Sequence, residues 1–411
     1  MKKIIQFVSL EILGGMFVFY YIFLPGKIRS LISPAAEKTA LWVKSIFFLL
    51  NNIQQETYVI SGKCKGADIK VIYIGKGQRL PYIMQLSSLD GPEIRKDGSF
   101  YLWNIHRKTG HLQENADMVI IETGNFFARK AQGNGFFMVP EWVDFELQVP
   151  DSIEDISKNA HKSLKSDLSK IRKYNYSYET NRDPDKLALF YHRMYVPYIS
   201  RRFSDISHIQ KLSFMRRILR TGTLFFLKDN DEYVAGHFLI YRDKTLWLKW
   251  TGIKDGNQEY LRRRVAGASD YFIIKYAIEK KFETLDFGLC RAFLNDGVLR
   301  YKRKWNMTLN YNGQNTMFFG FKIRNLNDGV KNFLERNPFS FYKDRKLEGF
   351  VYIPKECRTE KEILDMCGHF MTKGLARMNV LMENSHEFPK TVDAKYPHLN
   401  LVNKEFLVKN D

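Results

Sequence analysis

At 411 residues, 45% hydrophobic and 15% aromatic, the chain is too apolar to stay disordered and too long for one ordinary core, so two to three domains are expected. With 64 Lys plus Arg against 45 Asp plus Glu, its net charge of +19 excludes an acidic surface and points to an anionic partner: phosphates, nucleic acid or anionic lipid. Cys64, Cys290, Cys357 and Cys367 have no C-x-x-C spacing and the nine histidines are scattered, which argues against a zinc cluster or a disulfide scaffold and for reduced, mostly buried thiols, with no metal.

In chain order, Lys2 and Lys3 precede the apolar run Ile12 to Leu24, "ILGGMFVFYYIFL", bounded by Glu11 and by Pro25-Gly26-Lys27. The uncharged run is shorter than the roughly 20 residues of a spanning helix. A second apolar piece, "ALWVKSIFFLL", starts at Ala40. Residues 1–52 therefore read as an interfacial anchor or hairpin on an anionic membrane surface, with a core or dimer helix pair and a cleaved signal as alternatives.

From Glu56 short alternating runs broken by Gly and Pro predict strands: "DIKVIYIG" (68–75), "ADMVIIETG" (116–124) and "VDFELQV" (143–149). Ser152 and Asp155 then have capping-box spacing ahead of a helix whose apolar positions are Ile156, Ala160, Leu164, Leu168 and Ile171, with a lysine-rich remainder. Helix is expected around 184–219. Three antiparallel strands follow within 222–253, joined by "KDND" and "YRDKT" turns. Next come "RRRVAGASDYFIIKYAIEKKFETLDFG" (262–288), read as loop, helix and strand, and then strand material in "LRYKRKWNMTLNYNG" and "TMFFGFKI". Helical periodicity marks 359–383, followed by a weakly ordered polar tail. The fold class is α/β (α+β), divided as 1–52, a first α/β unit at 53–180, a second at 181–354, and a C-terminal extension at 355–411.

Within 262–288, Gly267 and small Ala266, Ala268 and Ser269 let backbone N–H groups approach an anion, at a helix start whose dipole attracts negative charge. Arg262, Arg263 and Arg264 can clamp phosphate oxygens. A basic loop opening a core helix is the plainer alternative. "DFG" (286–288) lacks the other protein-kinase motifs, and "YIGKG" (73–77) lacks the rest of a dinucleotide fingerprint.

A three-strand meander, then Arg264-x-x-Gly267-x-Ser269, a helix and another strand resembles the GNAT acyltransferase superfamily. The basic helix from Asn159, "YVAGHFLIY", "LDFG" and "DGVLRYKRKWN" are similar to its FemAB-like, double-GNAT branch, best over 156–305. The resemblance implies two tandem GNAT-like units, each a mixed, mostly antiparallel sheet flanked by helices. It also implies an acyl-CoA-like donor whose pyrophosphate lies on the Arg264–Ser269 turn. Ser269 stands where the family prefers Gly or Ala, and is read as an N-cap of the helix. No long helical arm interrupts the second unit, which favours a thioester over an aminoacyl-tRNA donor.

Acyl transfer to an amine needs a polarised carbonyl and a base. A backbone N–H near Thr251 or Gly252 is assigned to the carbonyl, and Asp286 at a strand end to the base, with capping of its own turn or pairing with Arg291 as the alternative. His237 is a second titratable candidate, equally a core histidine. Tyr301 is assigned to protonate the leaving thiolate, and Lys302, Lys304 and Arg291 to the acceptor. An amine of a lipid-linked or cell-envelope sugar or peptide is the expected acceptor, on the cytoplasmic side of a membrane. The competing readings are an acyltransferase for a soluble small amine, an aminoacyl-tRNA-dependent peptidyltransferase, and a non-catalytic scaffold with the same fold.

Overall fold

A computed structural model describes residue 39 and residues 53–101, 115–158, 162–203, 209–311, 317–354, 359–383 and 398–407. The expected anchor at 1–52 and the thiol of Cys357 lie outside these, Thr39 excepted. Among the described residues no helix is long and apolar enough to cross a membrane.

Strands β1 (Gln54–Cys64) and β2 (Ala67–Gly75) form a hairpin whose turn residues Lys65 and Gly66 both have positive φ, 49° and 81°, the handedness that matches strand twist. Then come α1 (Leu80–Ser87), β3 (Asp90–Tyr101), β4 (Met118–Gly124), α2 (Asn125–Gly133), β5 (Phe137–Pro140) and β6 (Val143–Gln148). Helices α3 (Ile153–Lys158) and α4 (Lys162–Ile171) lead to β7 (Tyr176–Asn181), α5 (Pro184–Phe190), a π-helical turn (Tyr191–Tyr195), α6 (Val196–Phe203) and α7 (Leu212–Ile218). The meander β8 (Gly222–Asp229), β9 (Glu232–Arg242) and β10 (Thr245–Ile253) precedes α8 (Gln258–Arg262), α9 (Val265–Glu279), β11 (Thr284–Cys290), α10 (Gly297–Lys304) and β12 (Thr308–Asn310). The chain closes with β13 (Met317–Ile323), α11 (Asp328–Arg336), β14 (Phe339–Lys343), β15 (Lys346–Ile353), α12 (Glu360–Phe370), β16 (Met378–Met382) and β17 (Leu399–Val402).

This is a mixed α/β fold in which helices flank mixed sheets. Its residues group into two compact units. The meander unit holds Asp144–Gly288 and Lys302–Thr308; the flanking unit holds the described residues up to Val143, Leu289–Tyr301, and those from Leu309 on. The pattern-based boundary near residue 180 thus has β7 and the preceding basic helices on its N-terminal side, whereas contacts group them with the meander.

In the meander unit the sheet order is β12-β6-β11-β10-β9-β8-β7. Leu187, Phe190, Met194, Met215 and Ile218 from the helices pack on Leu224, Phe226, Phe238 and Ile240 of the sheet, all 1% exposed or less. In the flanking unit one sheet runs β3-β1-β2-β4-β13-β5 and another β14-β15-β16-β17. Strand β13 is buried along its whole length and pairs antiparallel with both β4 and β5.

Two expectations are corrected. "LRYKRK" is helical, not strand: Asp296 Oδ1 accepts from the amides of Val298 and Leu299 at 2.9 and 3.0 Å, and three basic residues end the helix where its dipole is negative. Residues 378–382 form a strand parallel to β15, buried at the consecutive positions Met378 to Leu381, because a short run covered on both faces suits a parallel sheet better than an amphipathic helix. In the tail, Leu399–Val402 extends that sheet by pairing with β16.

Candidate active site

The site forms where two parallel strands part. β10 and β11 pair only over Thr245–Trp247 and Thr284–Asp286, while β10 stays paired with β9 as far as Ile253. Register slips between Leu248 and Trp250, a bulge that bends the strand, and on β11 Gly288 adopts φ +71°, a conformation open to glycine. From Leu248 onward one edge of β10 therefore faces a wedge and is no longer paired with β11. Thr251 and Gly252 lie in this segment. Gly252 is also required by packing: an added Cβ would come within 2.6 Å of backbone atoms of Met194 and Tyr195 in the π-helical turn.

The loop after β10 ends at a helix start. Asn257 Oδ1 caps α8 through Glu259 N at 2.9 Å. Arg264 takes a left-handed conformation (φ 64°) and α9 begins at Val265, with no side chain capping it. The amide of Ala268 is the first to bond back, to Arg264 O at 2.9 Å. The N–H groups of Val265, Ala266 and Gly267 thus lack intrahelical acceptors, the arrangement that attracts an anion. Ser269 is not the N-cap the sequence suggested. The helix starts four residues earlier because Val265 to Ala268 all tolerate it, and Ser269 Oγ is buried without a hydrogen-bond partner among the described residues.

The three arginines are not bare cations. Arg262 pairs with Glu259 at 3.2 Å on the surface. Arg263 pairs with Asp229 and stacks 4.9 Å over Tyr174. Arg264 reaches Asp167 of α4 at 3.6 Å, a carboxylate that Lys304 also contacts. Asp167 and Asp229, which neutralise this loop, were not anticipated from sequence, where nothing brings such distant positions together.

Asp286 sits at the wedge. Its Oδ1 accepts from Gly288 N at 2.6 Å, so it caps its own turn. Burial pushes its carboxyl above the ordinary aspartate range, against the pull of the Gly288 amide, Lys249, Lys302 and Arg242. Lys249 and Arg242 flank the ring of Trp247 at 5.6 and 4.9 Å; this cationic rim was also missed, although "LWLKW" carried the signal. Lys302 is corrected from acceptor ligand to brace: buried, it donates to Gly288 O at 2.7 Å and lies over Phe145. Lys304 likewise serves Asp167.

His237 is corrected to a core residue. It is 1% exposed, its Nδ1 lies 3.2 Å from Thr251 Oγ1, and burial pushes its pKa down to about 3. Tyr301 and Arg291 belong to the flanking unit. There Arg291 is held between Trp142 and Tyr82, 3.9 and 4.1 Å from the ring centres, and pairs with Glu141 at 3.3 Å, so the suggested Asp286–Arg291 pair is replaced.

In the six-stranded sheet of the flanking unit the parallel pair β2 with β4 has its end filled by side chains. Glu122, fully buried, accepts from Tyr73 O–H, from Lys76 N at 3.3 Å and from Arg79 Nη1 at 3.1 Å. A Cβ on Gly75 would meet Tyr73 Oη at 2.4 Å. The open wedge is in the meander unit.

Residues 158–303 match the family model described as an acetyltransferase (GNAT) domain. Solved structures with similarity include FemX, 13% identical, covering 64% of this chain and 83% of that one with a TM-score of 0.35. L-PGS from Bacillus licheniformis is 10% identical over 66% of this chain and 86% of that one, TM-score 0.33. A GCN5-related N-acetyltransferase from Sphaerobacter thermophilus is 9% identical over 63% and 75%, TM-score 0.30. No curated protein matches. The similarity to an acetyltransferase (GNAT) domain thus extends over residues 158–303.

Proposed function

We propose that this domain is an N-acyltransferase of FemAB-like type, moving an acyl or aminoacyl group from an acyl-CoA-like thioester to an amine of a lipid-linked or cell-envelope sugar or peptide. One observation carries the reading: β10 and β11 part after three pairs, and the strand that leaves leads to a helix whose first turn no side chain caps. The amides of Val265, Ala266 and Gly267 fit a donor phosphate, and an unpaired peptide N–H of β10 near Thr251 or Gly252 fits the donor carbonyl. As the acceptor nitrogen bonds to the carbonyl carbon and the carbon–sulfur bond breaks, Asp286 takes the proton from nitrogen. A carboxyl raised by burial suits that step, since a base is most useful near working pH. The net charge of +19 supports an anionic acceptor and a peripheral place on the inner face of the cytoplasmic membrane.

The carboxylates on Arg262, Arg263 and Arg264 favour a second reading, a non-catalytic binding protein on the same fold, because they neutralise the clamp a diphosphate needs. Calorimetry with coenzyme A, an acyl thioester and an aminoacyl-tRNA mimic separates the two. A thioester bound by the wild type and lost in Gly267→Trp supports the enzyme; no donor affinity, with anionic-vesicle binding intact, supports the scaffold.

A further inference from the structure

Helix α9 runs 15 residues, about 22 Å, and beyond its C-terminal end lies a second feature. A cavity of about 490 Å³ opens there, lined by the end of β7, the start of β8, Tyr241 of β9 and the last turn of α9. Its charged lining is Arg182 and Lys280, and no acid lines it. Unlike the three arginines at the other end, these two make no ion pair among the described residues: they lie over the rings of Tyr241 and Tyr276, at 5.4 and 5.9 Å.

The nearby carboxylates are engaged elsewhere. Glu179 accepts from Tyr233 O–H at 2.8 Å and Asn181 Nδ2 at 3.3 Å, Asp183 caps α5 through Asp185 N at 2.8 Å, and Glu279 accepts from Tyr178 O–H. Tyr241 and Tyr276 hydroxyls stand 2.6 Å apart. Burial and that contact hold the Tyr276 phenol above its ordinary range, so it keeps its proton. One proton serves the mutual bond, and the other hydroxyl is left to donate.

The aromatic wall is set by how α9 stops. Lys281 adopts φ 58°; its amide bonds Ile278 O and that of Phe282 bonds Ala277 O, both at 3.0 Å, a Schellman closure. This occupies carbonyls of the negative helix end, and places the Phe282 ring 5.6 Å from that of Tyr241. Donors, two unpaired cations and flat rings thus surround a volume suited to a small ligand.

We propose that this cavity binds a phosphomonoester carried on a flat, aromatic body, at a site separate from the transferase wedge. Titration calorimetry with phenyl phosphate, inorganic phosphate and a nucleoside monophosphate tests it. Phenyl phosphate should bind more tightly than inorganic phosphate, and the nucleotide arm decides whether the aromatic body is a base. Arg182→Gln and Lys280→Gln should each weaken binding about tenfold, the scale of one charge-assisted hydrogen bond. Both positions are exposed, and circular dichroism checks that the variants stay folded. Gly267→Trp, at the far end of α9, should leave this binding unchanged. The proposal is overturned if phenyl phosphate shows no saturable binding, if the double variant binds as the wild type does, if inorganic phosphate binds equally well, or if Gly267→Trp abolishes binding.

Discussion

Asp286 is where local geometry and chemistry meet. Its carboxyl is raised by burial yet held by one amide, so replacing it with Asn keeps the turn's acceptor and removes only the titrating oxygen. Asp286→Asn should lower kcat by about 10²- to 10⁴-fold, the usual worth of a positioned base. In the wild type, the acid limb of the pH–rate profile should fall above the ordinary aspartate range; a limb unchanged in the variant assigns the base elsewhere. His237 gives a stability test. Its folded pKa, about 3 against 6.5, means that the unfolded chain binds the extra proton. The stability is complete above pH 6.5 and is lost on acidification toward 3, at up to about 1.4 kcal/mol per pH unit. Urea midpoints measured across that window should show this slope in the wild type and lose it in His237→Gln. The place of Asp286 on the strand after α9 followed from element order. The partners of the loop arginines did not, because Asp167 and Asp229 arrive through helix and sheet packing that no local pattern encodes.

At the scale of elements, the meander, α9 and β11 followed from period, turn residues and length. Errors fell where composition outweighed context: a highly basic segment looked like an exposed strand until its Asp296 cap is considered. The π-helical turn could not be read at all, since its sequence YHRMY differs little from α-helix. Its purpose is evident in what rests on it, the backbone of β10 at Gly252. Gly252→Ala should therefore destabilise the meander unit by about 1–3 kcal/mol, as forced overpacking does. It should also displace the β10 edge, so donor affinity and the urea midpoint should fall together; a midpoint equal to the wild type would show that the turn yields freely.

For the whole molecule, the sequence suggested two consecutive units, and the contacts show a chain that leaves one unit and returns to it. The cause is β13, fully buried between β4 and β5, which a linear reading assigns to whatever precedes it. A chain ending before Met317 should lose the flanking sheet's continuity, seen as rapid proteolysis within 54–140 while the meander segment resists longer. The same strand sets a schedule for synthesis. β4 leaves the ribosome long before the partner that joins it to β5, and at the usual elongation speed of about 5–20 residues per second the gap is roughly 10–40 s. Through that interval an apolar strand edge stays unclaimed in the nascent chain, which makes the growing polypeptide, rather than the finished protein, the form most in need of a chaperone.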